Sequence, residues 1–122
     1  MAKILIVEDD KDIVEVLSIA LEKRGFEIAV AYDGQEALEK SVAQKPDLIL
    51  LDLMIPKIDG HSVNIRLKEN PETALIPVIV VTGRGNLKEL LNIQEGVSVA
   101  GYFEKPVTIK LIIQKIEELI KK

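Results

Sequence analysis

The sequence has no cysteine and no tryptophan, and its 122 residues include only two tyrosines, two phenylalanines and one histidine. Without cysteine there can be no disulfide, thiolate metal site or cysteine nucleophile. One histidine, His61, cannot assemble a histidine metal cluster or an imidazole acid–base pair, so a solvated position on a helix is expected for it. Basic residues are in the minority. Sixteen Lys and Arg against 20 Asp and Glu give a formal net charge of -4, with no run of five like charges, which argues against nucleic acid as a direct partner. Apolar runs fall far short of a membrane span, and the opening MAKILIVEDD puts acids where a signal peptide would continue its apolar region. A cytoplasmic protein with no membrane partner is expected. The length suits one core that buries roughly two thirds of the unfolded surface, so residues 1–122 are read as a single domain.

What is present is an alternation. Strand-like apolar runs at Ile4 to Val7, Ile28 to Ala31, Leu48 to Leu51, Val78 to Val81 and Tyr102–Phe103 are separated by segments of helical period at 10–24, 34–44, 59–69, 86–95 and 107–121. Turn and cap signals fall between them, among them Gly25, Asp33–Gly34, Pro46, Asp59–Gly60 and Pro77. Near-continuous apolar strands alternating with helices predict a parallel sheet covered on both faces, a three-layer doubly wound α/β domain. In such sheets ligands bind beyond the carboxyl ends of the strands, where the strand order reverses.

The residues at those ends are therefore the candidates: Glu8, Asp9 and Asp10 after the first strand, Asp52 after the third, Thr82 and Gly83 after the fourth, Glu104 and Lys105 after the fifth. With strand order 2-1-3-4-5 the acids of strands 1 and 3 meet. Singly, each feature has a plain reading. Asp9 or Asp10 caps a helix, Thr82 is a β-branched strand residue, and Lys105 is a solvated lysine. Together the acids fit that reading poorly, because like charges about 4 Å apart repel by roughly 4 kcal/mol at an effective dielectric of 20. A cation relieves this, and hard carboxylate oxygens with open positions suit Mg²⁺, which bridges carboxylates to phosphoryl groups. Asp52, an acid ending the apolar run LILL, then reads as a nucleophile that becomes an aspartyl phosphate.

The motifs ILIVEDD (4–10), LLDLMIPKIDG (50–60), VVTG (80–83) and YFEKP (102–106), in this order and spacing, resemble the receiver domain of two-component response regulators, with the flavodoxin-like fold of the chemotaxis response regulator. The resemblance implies a five-stranded (βα)5 domain that takes a phosphoryl group from a sensor histidine kinase or histidine phosphotransfer protein onto Asp52. It implies Mg²⁺ held by Asp9, Asp52 and the Met54 carbonyl, with Glu8 acting through water. It further implies that Lys105 contacts the phosphoryl oxygens, that Thr82 and Tyr102 rearrange on phosphorylation, and that Met54 and Arg84 set the phosphate lifetime. Lys105–Pro106 is expected to be cis. The resemblance also implies that the chain catalyses only its own phosphorylation and dephosphorylation and is otherwise not an enzyme.

Output is expected through a surface of the fourth helical segment, fifth strand and fifth helical segment, toward a downstream protein or a second copy as homodimer. The stretch Gly96 to Gly101 and Gly83 depart from the common pattern there. In VTIKLIIQKIEELIKK, Ile109, Ile112, Ile113, Ile116 and Ile120 repeat at helical spacing, whereas Leu111 falls about 200° around from Ile109, so Leu111 is assigned to the partner surface. No output domain fits in 122 residues, leaving a stand-alone receiver or a piece of a longer regulator or hybrid kinase. Rival functions lack their residues. A haloacid-dehalogenase-type phosphatase needs an acid where Met54 stands. A flavodoxin-like FMN site needs a Ser/Thr/Gly loop where three acids stand, and Gly83-x-Gly85 lacks the Lys-Ser/Thr of a P-loop. The remaining alternative is a pseudo-receiver, a binding module that signals without phosphate.

Overall fold

The structure, a computed structural model, describes residues 2–83, 99–105 and 108–120. In chain order the elements are β1 (Lys3–Val7), α1 (Lys11–Lys23), β2 (Glu27–Ala31), α2 (Gly34–Gln44), β3 (Leu48–Leu51), α3 (Gly60–Glu69), β4 (Val78–Thr82), β5 (Gly101–Glu104) and α4 (Ile109–Ile120). The helical segment expected at 86–95 lies outside the described residues.

All five strands are parallel, in the order β2-β1-β3-β4-β5. The apolar runs explain why both faces are covered. Successive strand side chains point to opposite faces, so Ile4, Ile6, Leu48, Leu50, Ile79 and Val81 line one side, against Val14, Leu17 and Leu21 of α1 and Ile112, Ile113 and Ile116 of α4. Leu5, Val7, Ile49, Leu51, Val78 and Val80 line the other, against Ala37 of α2 and Val63 and Leu67 of α3. All four residues of β3 are buried, as expected for a central strand with helices above and below. Each such side chain contributes about 1.5–3 kcal/mol by leaving water.

Local chemistry sets the ends of the helices. Asp10, Asp33 and Asp59 are the N-caps of α1, α2 and α3, each accepting backbone N–H groups of the first turn. This is why α1 and α3 start one residue later than the periodicity predicts. At the other end of α1, Gly25 takes φ +90. Its N–H donates to Glu22 O and that of Phe26 to Leu21 O, and Phe26 is buried in the same cluster as Leu21. These bonds and that contact make a Schellman stop. The helices thus begin at the carboxyl ends of β1, β2 and β3, with their caps along one edge.

Candidate functional site

β1 and β3 are neighbours with Val7 opposite Leu51, so the residues that follow, Glu8 and Asp52, leave the sheet side by side. Backbone bonds extend the ladder past the strands, from Asp52 N to Val7 O and from Glu8 N to Ala31 O, both 3.0 Å. Glu8 and Asp52 are each only 5% exposed, whereas Asp9 is exposed. One carboxylate oxygen from each of Glu8, Asp9 and Asp52 lies within 4.8 Å of the others. The adjacency that strand order 2-1-3 implies is therefore realised.

Lys105 follows β5 and reaches back over this group. Its ammonium donates to Glu8 Oε1 at 2.9 Å and to Asp52 Oδ2 at 3.0 Å, so the reading of Lys105 as an ordinary solvated lysine does not hold. The second oxygens are also occupied: Asp52 Oδ1 accepts the Met54 N–H at 2.8 Å, and Glu8 Oε2 the Asp10 N–H at 3.1 Å. Burial pushes the Glu8 carboxyl above the ordinary glutamate range, and the Asp52 charge adds to this, against the downward pull of Lys105 and the Asp10 amide. Burial works against the charge on Lys105, but its bonds to Glu8 and Asp52 outweigh it and hold the ammonium above the ordinary lysine value.

Asp10, which the cap reading left undivided from Asp9 and the resemblance left out of the metal set, is committed elsewhere. Its Oδ1 accepts the N–H groups of Asp12 and Ile13 at 2.9 and 3.3 Å, leaving Asp9 as the exposed acid of the trio. Three carboxylates and one ammonium carry an excess of negative charge among hard oxygen donors, and this donor set fits a small dication such as Mg²⁺. A cavity of about 480 Å³ runs beside the site, lined by Glu8, Asp52 and Lys105 and by apolar side chains of α1 and α4.

Thr82 ends β4 opposite Glu104 of β5, on the same edge of the sheet; its side chain, Arg84 and Pro106 lie outside the described residues. Met54 is 50% exposed and Tyr102 44% exposed, the latter on the outer edge strand. Leu111 is 48% exposed on α4, while Ile112, Ile113 and Ile116 are buried and Ile109 and Ile120 half-buried. Helical spacing had placed these α4 residues on their two sides. His61 is half-buried on α3 rather than fully solvated.

Sequence reasoning missed the supports of the loop that follows Asp52. Gly60 N donates to Leu53 O and Gly34 N to Pro56 O, both at 3.1 Å, and Lys57 Nζ lies 3.5 Å from Asp33 Oδ2. Asp33–Gly34 and Asp59–Gly60 were legible only as turn and cap signals. Their contact with the loop has no signature along the chain.

Known proteins match this arrangement. Residues 4–117 match the family described as the response regulator receiver domain. The chain is 37% identical to the DNA-binding dual master transcriptional regulator RpaA of Synechocystis, over 100% of this chain and 50% of that protein. It spans about half the length of the first curated relatives it matches. Among solved structures, a CheY-like response regulator receiver domain protein from Methanospirillum hungatei JF-1 superposes with a TM-score of 0.88 at 28% identity, covering 97% of this chain and 92% of that one. The receiver domain of the sensor histidine kinase PA1611 from Pseudomonas aeruginosa PAO1, solved with a magnesium ion coordinated in its active site cleft, shares the fold with a TM-score of 0.87 at 23% identity, over 99% of this chain and 98% of that one. With one family spanning residues 4–117 and a receiver fold alike from end to end, the chain belongs to the response regulator receiver domain family.

Proposed function

We propose that Asp52 is the phosphoacceptor of this receiver domain, and that residues 1–122 work as one unit that takes a phosphoryl group from a phosphohistidine on a sensor kinase or phosphotransfer protein. The observation that carries the reading is the meeting of Glu8, Asp9 and Asp52 within 4.8 Å, with the Lys105 ammonium on two of them. In the transfer, an Asp52 carboxylate oxygen forms a bond to phosphorus as the bond from phosphorus to the donor imidazole nitrogen breaks. The electron pair of that bond stays with the imidazole. The later loss of the group to water returns the carboxylate and inorganic phosphate.

Phosphoryl transfer through a loose transition state asks for alignment and charge neutralisation more than for a strong base. Asp9, Asp52 and the Met54 carbonyl are the residues proposed to hold Mg²⁺, with Glu8 behind them. When bound, the ion supplies positive charge to the transferring phosphoryl oxygens. Lys105 carries three donors on a flexible stem, so it can pass from the carboxylate pair to those oxygens while staying charged. Thr82 and the Gly83 amide, at the end of the adjacent strand β4, are the further donors proposed. Thr82 and Tyr102 form the switch that reports the phosphorylated state toward a partner. Met54 and Arg84 are the residues proposed to set the lifetime of the phosphoryl group. Outside this self-directed chemistry the chain acts by binding, with a downstream protein or a second copy as partner and Leu111 on the contact surface. No described helix is long and apolar enough to cross a membrane.

Incubation with acetyl phosphate and MgCl₂ should add one phosphoryl group, and peptide mapping should find it on Asp52. Asp52→Ala should take up none. Phosphate on Asp9 or Asp10, or undiminished uptake by the variant, overturns the assignment; no uptake by the parent from acetyl phosphate or from a phosphohistidine donor favours the pseudo-receiver.

A further inference from the structure

The loop from Leu53 to Asp59 carries Met54, whose amide holds Asp52 Oδ1 at 2.8 Å, and it is braced from a helix that contributes nothing to the acid group. The brace is the N-terminus of α2. The Gly34 N–H donates to Pro56 O at 3.1 Å, and the space a Cβ would need at Gly34 is taken by the carbonyl oxygen of Ile58. Between these two contacts stands Lys57, at φ +69, a backbone region a side chain rarely occupies. Its ammonium lies 3.5 Å from Asp33 Oδ2, while Asp33 Oδ1 caps α2 through the Glu36 N–H at 2.8 Å. One buried carboxylate thus ties the helix cap and the loop together.

We infer that Gly34, supported by the Asp33–Lys57 pair, is a positioning residue for the magnesium and phosphoryl site, acting through the loop on Met54 and Asp52; this rests on the proposed function above. Which side yields to a methyl group at residue 34 decides the matter. α2 is anchored by buried Ala37 and Ser41, whereas of the loop residues nearest Gly34, Pro56 and Lys57 are exposed and Ile58 is only half-buried, Ile55 being the one buried anchor between them and Met54. The loop therefore gives way, and the displacement runs toward Met54, whose neighbour Leu53 is itself pinned at Gly60. Partners one step removed from a metal's ligands fix their orientation, and losing one costs on the order of tenfold or more in metal affinity.

Gly34→Ala should remain folded by circular dichroism, bind MgCl₂ about tenfold more weakly in calorimetric titration, and show faster hydrogen exchange at the Met54 amide in magnesium-free protein. A folded variant with parental magnesium affinity overturns the inference. If Gly34→Ala does not fold, Lys57→Gly decides, because glycine accepts φ +69 and only the tie to Asp33 is lost. Removing a positive charge by itself favours a dication, so weaker binding by Lys57→Gly, restored in Lys57→Arg, reports position rather than charge. Unchanged or tighter binding by Lys57→Gly overturns the inference. A parent protein with no saturable magnesium binding sinks the metal reading itself, and the positioning role then stands or falls on Met54 amide exchange alone.

Discussion

Asp33 and Asp52 begin alike. Each is buried, each lies just beyond the carboxyl end of a strand, and each has a lysine ammonium nearby, Lys57 at 3.5 Å and Lys105 at 3.0 Å. Their other neighbours set them apart. Asp33 accepts the N–H of Glu36 in the first turn of α2, and this bond, assisted by Lys57 against the cost of burial, holds its carboxyl below the ordinary aspartate range. Asp52 caps none of the described helices and shares its surroundings with Glu8 and Asp9. Each accepts a backbone N–H, but a buried carboxylate whose donor opens a helix is part of the scaffold. One crowded by like charges, and relieved by a lysine on a flexible stem, is set up to bind or react.

Lysine substitution should break the parallel most sharply. Lys105→Met is expected to slow phosphoryl uptake from acetyl phosphate by about 100-fold, the typical loss when one donor to a developing oxyanion is removed. A rate within threefold of the parent in quench-flow or mass measurements would place Lys105 outside the chemistry.

Stability should separate the two aspartates by sign. Asp33→Ala removes a helix cap and should cost about 1 kcal/mol, a fall of about 4 °C in Tm for a domain of this size. Asp52→Asn keeps an acceptor for the Met54 N–H but removes one of three converging negative charges, so without magnesium its Tm should rise. MgCl₂ should then raise the Tm of the parent more than that of Asp52→Asn, since only a bound folded state gains by mass action. Calorimetric melts showing both variants destabilised alike would mean that the acid trio is not under charge strain.

Acid titration sharpens the scaffold half of the comparison. Asp33 and Asp59 both titrate below the ordinary aspartate value of 3.8. For Asp59 burial opposes the shift and the bonds from the Ser62 N–H and hydroxyl carry it. A lowered folded value means that the unfolded chain binds the proton first. The stabilisation is therefore complete above pH 3.8 and is lost as pH falls through the folded value. The stability gap between the parent and Asp33→Asn should be constant near neutral pH and close below pH 3.8. A gap that widened on acidification would contradict the capping role.

The smallest effect is expected far from both aspartates. Leu111→Glu, on the exposed side of α4, should change stability by no more than about 0.5 kcal/mol and leave Asp52 phosphorylation unchanged, while weakening a phosphorylation-dependent association measured by sedimentation or pull-down. Unfolding, or unaltered association, would remove Leu111 from the partner surface.

Much of this was legible along the chain. The alternation of apolar runs and helical periods gave a parallel sheet of five strands covered on both faces, because a strand buried on both faces reads as four consecutive apolar residues such as Leu48 to Leu51; the order 2-1-3-4-5 was a premise of the site reading, and the structure bears it out. Glu8, Asp9, Asp52 and Lys105 were legible as strand-end residues for the same reason: polar groups that interrupt a buried run must face the open edge. The division of labour between Asp9 and Asp10 was not legible in the spacing, though the family resemblance named Asp9. Both precede an amphipathic helix, and only the backbone angles decide which one caps it.

By itself, then, the sequence determined the layers and the strand ends where the acids stand, since hydrophobic period and cap chemistry act over a few residues at a time. Tertiary structure decided the rest: that Lys105 spans Glu8 and Asp52, 97 and 53 positions away, that Asp33 serves both α2 and the loop after Asp52, and that Gly34 has no room for a side chain beneath Ile58. Each of these depends on a distance across the fold, and such distances exist only once the sheet has brought the strand ends together.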